Sequence, residues 1–168
     1  MSGQNDLLLR LFVELFQTEE SARKHPRLEA ERLGTAPPSQ AMLALSSHAE
    51  AVLPEIERLA VAEGLNTSSA GTVIGDVLSA FRKLLLDQAI DREKSYRGTL
   101  VGLYHGVDVV RLLRASARAA GRDRIASFCE SWLAGRTPLV EAATRQLDWF
   151  GANPRAALES ATRGGKSA

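Results

Sequence analysis

The sequence predicts an all-α protein, a bundle of four long helices with an extra short helix between the second and third core helices. Three observations predict it. Apolar residues recur at spacings of three and four through most of the chain, as one face of a helix requires. No run alternates convincingly at period two, so strands are not expected. The 168 residues, 45% hydrophobic and 24% charged, are enough for one packed core and do not resemble a disordered chain.

The elements follow in order. Leu8, Leu11, Phe12, Leu15 and Phe16 fall on one face of a first helix, expected from about Gln4 to Lys24 and bent or ended by Pro26. A loop through Gly34–Ser39, with Pro37 and Pro38, precedes a second helix from about Gln40 to Glu63, kinked at Pro54 and stopped by Gly64. After the polar segment Asn66–Ser69, the spacing of Ile74, Val77, Leu78, Phe81, Leu84 and Leu85 marks the extra helix over 73–87. Asp91 to Ala120 is helical up to a cap at Gly121, with Gly98, Gly102 and Gly106 four apart. Those glycines make either a flat stripe for close helix packing or a local break, and close packing is favoured. Arg122 to Phe150 forms the last helix, with a break expected where Thr137 and Pro138 could restart it. Residues 1–150 are expected to form the domain, and 151–168, without periodicity, a disordered tail.

Composition excludes several function classes. The single cysteine, Cys129, rules out an internal disulfide framework and a cysteine-rich zinc site, and its apolar helical setting makes it a core filler. Arg10 and Glu14 interrupt the first apolar run, so no signal peptide or membrane span is read there, and a cytoplasmic location is expected. No nucleophile elbow, Walker loop or dinucleotide fingerprint is present, so no catalytic residue is assigned. His25, His48 and His105 never fall three or four apart from one another, and each reads as a surface or satisfied core residue.

Leu11–Glu20, Ser39–Met42 followed by Glu55–Leu59, and Ala119–Gly121, in this order and with the extra helix over 73–87, resemble the ferritin-like superfamily. The chain is most similar there to the small, stress-associated YciE/YciF-type bundles, over about residues 6–150. The resemblance implies a four-helix bundle whose inward carboxylates and a Glu-x-x-His pair ligate two metal ions. Carried over residue by residue, the first ligand falls at Glu19, or at Glu20 with a one-residue shift. The second falls at Glu50, but Leu53 stands where the histidine belongs. On the third core helix the ligand position lies near His105, and on the last it falls within Gly135–Val140, without a carboxylate. A register shift of three or four would bring His48, Asp108 or Glu141 inward instead.

The expectation is a degenerate bundle without cofactor, non-enzymatic, acting through interaction. The alternative is an oxidase or iron-handling protein that holds iron or manganese on Glu19, Glu20, Glu50 and His105. Trp132, Trp149 and Phe150, taken as exposed aromatics near helix ends, point to a homodimer. Residues 1–64 carry a balance of −4 and residues 65–168 of +5. Arg111, Arg114, Arg118 and Arg122 draw a basic stripe that reads as a solvated face, then as a surface for an acidic protein partner, such as the acidic first half of a second copy, and last for nucleic acid, because it lacks interleaved aromatics.

Overall fold

The computed structural model describes residues 2–65 and 90–161. Helix α1 spans Ser2–Leu33, α2 Pro37–Ala62, α3 Arg92–Ala119 and α4 Asp123–Arg145, followed by the short α5, Leu147–Ala152, and α6, Pro154–Ala157. The all-helical bundle is therefore as expected; the helix expected over 73–87 lies outside the described residues. Among the described residues no helix is long and apolar enough to cross a membrane.

Helix α1 runs on through Pro26 for two further turns. Its buried stripe, Leu8, Leu11, Phe12, Leu15 and Ala22, continues to Ala30 and Leu33, so tertiary packing outweighs the lost proline hydrogen bond. Ser46 Oγ on α2 donates to the Arg23 carbonyl at 2.6 Å, satisfying an acceptor in the turn that the proline disturbs. Pro37 and Pro38 open α2 instead of preceding it, because the first helical positions need no amide donor. Helix α4 likewise passes unbroken through Gly135 and Pro138. Gly64 and Gly121, at φ +64° and +66°, end α2 and α3 as expected. In each case the next amide folds back, Leu65 N to Ala60 O and Arg122 N to Ala117 O, both at 2.9 Å.

Helix α1 packs against α2 and α3, and α4 packs against the same two, leaving α1 and α4 on one diagonal and α2 and α3 on the other. Glu29 near the end of α1 meets Ser95 near the start of α3, whereas Glu14 meets His105; these two helices are antiparallel. Glu63 reaches Arg122 and His48 reaches Arg136, so α2 and α4 are antiparallel too. The order is up, down, down, up, so α2 ends and α3 begins at opposite ends of the bundle. Phe12, Leu15, Met42, Leu45, Val110, Leu113 and Ile125 fill the interior. Helix α3 is unbroken at its three glycines, and a Cβ on Gly106 would lie 3.6 Å from Thr18 Cβ, so this glycine faces α1 at close range.

Residues 151–161 are not disordered. After α6 the chain returns to the start of α3, where Asp91 and Ser160 form an antiparallel bridge. Arg92 N donates to Glu159 O at 2.9 Å and Ala161 N to Ile90 O at 2.8 Å, and the Arg92 and Glu159 side chains pair. Periodicity does not reveal this strap because backbone groups and one ion pair hold it. At the same end, Tyr96 donates to Ala143 O at 2.9 Å and its ring meets Phe150 at 5.1 Å between centroids.

Candidate functional site

The most unusual chemistry lies at mid-height in the bundle. Glu19 falls in the α1 stripe, four residues after Leu15, and Arg136 falls in the α4 stripe, between Trp132 and Val140. Each helix thus carries a charge into the apolar interior. Both are buried, Glu19 at 0% and Arg136 at 1% exposure, and Arg136 Nη2 donates to Glu19 Oε2 at 2.6 Å. Charges this far from water persist only when paired.

His48 on α2 completes the cluster. Its Nδ1 lies 3.2 Å from Arg136 Nε and 3.1 Å from Nη2. Arginine has no acceptor, so Nδ1 accepts and the ring proton sits on Nε2. A Cβ at position 135 would come within 2.7 Å of that Nε2; glycine leaves room for the imidazole beside α4. Trp132 lies under the guanidinium, 4.9 Å from ring centroid to Arg136 Cζ, and meets His48 edge-on at 6.3 Å.

The electrostatics follow from burial. Desolvation pushes the Glu19 carboxyl above its ordinary range, opposed by the Arg136 charge and by the hydrogen bond from Arg136. Trp132 Nε1 and Glu19 Oε1 are both buried and without a hydrogen-bond partner among the described residues. Burial also pushes Arg136 below its usual value, against the opposing pull of Glu19. His48 is lowered to about 4, first by burial and then by the adjacent guanidinium. The arrangement holds a neutral imidazole and a carboxylate around one cation, and every nitrogen and oxygen in contact with the guanidinium is occupied in holding it.

A second polar cluster lies nearer the α1 C-terminus. Buried Glu29 accepts from Arg32 at 2.7 Å and from Ser95 at 2.5 Å. Burial raises its pKa against the opposing effect of Ser95 and then Arg32. Tyr96 is raised by burial and by the Glu29 charge.

The residues singled out from sequence do not assemble around a common point. Glu19 is inward but held by Arg136. Glu20 pairs with Arg23 at 2.7 Å and Lys24 at 3.6 Å, and Glu50 is exposed. His105 sits on the outside, 3.0 Å from Glu14. Among the described residues no group of three or more His, Cys, Asp or Glu side chains gathers where a metal ion could sit. This donor set does not fit a two-metal centre, because its only inward carboxylate on these positions already faces a fixed cation.

Three of the four stripe arginines have acidic partners on their own chain: Arg111 with Asp108 at 3.5 Å, Arg118 with Glu130, and Arg122 with Glu63 at 3.3 Å. Arg114 is half-buried near Cys129. The stripe is a paired surface. Trp132 and Phe150 are buried at 2% and 4%, which corrects their reading as exposed interface anchors: Trp132 faces the arginine and Phe150 covers Tyr96. Trp149 is half-buried, edge-on to Phe150 at 5.2 Å.

Arg136 lies in a stretch whose glycine and proline read as a helix break, yet Ile125, Cys129, Trp132, Arg136, Val140 and Ala143 keep one helical phase, the pattern that marks it as inward. No family model, curated protein or solved structure matches the chain.

Proposed function

We propose that this chain is a non-catalytic, ferritin-like four-helix bundle that has lost its di-iron centre and works as an interaction protein of the stress-associated type, as a homo-oligomer. One observation carries the reading: the Arg136 guanidinium stands between Glu19 and His48 at the middle of the bundle. A side-chain cation there balances the buried carboxylate and repels a divalent ion. The up, down, down, up order with one long connection adds support, since ferritin-like bundles are built with a single crossover.

The test is metal titration of protein purified without chelator. Elemental analysis should find no stoichiometric iron or manganese, and Fe(II) or Mn(II) should give no saturable heat of binding in calorimetry. Stoichiometric metal that is lost in Glu19→Gln or Glu50→Ala would replace this reading with the metal-handling one.

A further inference from the structure

We infer that α3 is the surface through which two copies of this chain associate, antiparallel, about a two-fold axis passing between residues 106 and 107. The inference rests on the homo-oligomer reading above and assigns it a face and a register.

Helix α3 buries Leu103, Val107, Val110 and Leu113 and turns a different row outward. Val101 is 61% exposed and Leu112 51%, and between them His105 and Asp108 are also exposed. The row steps by four, three and four, the spacing of a helix–helix seam. Single exposed apolar residues are ordinary on a protein surface; the order along this row is not. Read in either direction it runs apolar, charged or titratable, its counterpart, apolar. Antiparallel copies therefore set Val101 against Leu112 and His105 against Asp108, each twice. An isologous interface needs this self-complementarity, because the same patch must serve both partners. Small residues, Gly98 and Ala115, oppose each other at the two ends and let the helices approach.

The surroundings agree. His105 Nε2 is held by Glu14 of its own chain at 3.0 Å, which orients the ring; in its imidazolium form the ring has a second N–H, on Nδ1, to donate to a carboxylate. Asp108 lies 3.5 Å from Arg111, a loose contact that leaves its carboxylate accessible. Leu7, 43% exposed, precedes Glu14 by seven residues as Leu112 follows His105 by seven. In the antiparallel α1–α3 register it stands level with Leu112 and widens the apolar end of the row.

The experiment uses the full chain. Sedimentation velocity over about 1–100 µM should give a species of twice 18.2 kDa, and Leu112→Glu should weaken it about tenfold or more while the circular dichroism spectrum is unchanged. Oxidising a mixture of Val101→Cys and Leu112→Cys should yield a cross-linked dimer. Neither variant should cross-link alone, since like positions lie about 16 Å apart along antiparallel helices; Cys129 is buried and does not compete. A dimer indifferent to Leu112→Glu, without the mixed cross-link, overturns this inference and leaves the homo-oligomer reading standing. Self-cross-linking by Val101→Cys alone overturns the antiparallel register. A monomer throughout the concentration range overturns both readings.

Discussion

Arg136 and Glu19 meet at 2.6 Å across the diagonal of the bundle, joining the two long helices that do not pack face to face. The pair connects opposite corners through the interior, and His48 ties a third helix to the same guanidinium. Removing one partner strands the other charge in an apolar setting, whereas removing both leaves a cavity of ordinary kind.

Glu19→Leu and Arg136→Met should each lower unfolding free energy by about 3–5 kcal/mol in urea titrations. The double change Glu19→Leu with Arg136→Met should recover most of that loss. A double variant as unstable as the sum of the singles would show that the two side chains are not coupled.

His48 sets a pH dependence whose sign is fixed by its lowered pKa, from 6.5 to about 4. The unfolded chain takes up this proton first, so the stabilisation is complete above pH 6.5 and is lost as pH falls from there toward 4. Allowing for screening at a half-buried ring, the loss should be about 1–2 kcal/mol. It should be read as the difference between wild type and His48→Gln over that window, because Glu19, with its raised pKa, contributes with the opposite sign in both proteins. Parallel pH profiles for the two would refute the assignment.

Gly135 and His48 should be coupled. An alanine in an exposed helix interior normally gains about 1 kcal/mol over glycine. Here its Cβ would approach His48 Nε2 to 2.7 Å and displace the ring from Arg136. Gly135→Ala should be neutral or destabilising in wild type and should stabilise by about 1 kcal/mol in a His48→Ala background. Equal effects in both backgrounds would mean that the ring moves aside freely.

Truncation after Leu158 removes the amide of Ala161 and the carbonyl of Glu159 from the start of α3. Two backbone hydrogen bonds and an ion pair at this edge are worth about 1–2 kcal/mol together. The truncated chain should unfold at correspondingly lower urea and exchange its amides near Arg92 and Ser95 faster. Unchanged exchange there would show that the strap is dispensable.

The bundle was legible because helical spacing survives in every long element, and Gly64 and Gly121 mark true ends. The prolines misled: at 26 and 138 the apolar phase on either side was the stronger signal, and it carried the helix through. The buried centre was half legible. Glu19 was picked out as inward, but as a ligand, because a carboxylate in an apolar stripe states only that a cation must face it. The cation proved to be Arg136, which sits in phase with Cys129, Trp132 and Val140 yet lies among Gly135, Thr137 and Pro138, residues that read locally as a stop. The pairing of Asp91 with Ser160 had no counterpart in periodicity, since its partners are backbone atoms far apart in sequence.

A guanidinium at the centre of the bundle also decides what the interior depends on. An ion can be chelated, exchanged for a rival or starved from the cell, and its oxidation state can change. Arg136 is supplied with the chain at synthesis, so Glu19 is charge-balanced as soon as α1 and α4 meet, whatever ions or redox poise surround the protein.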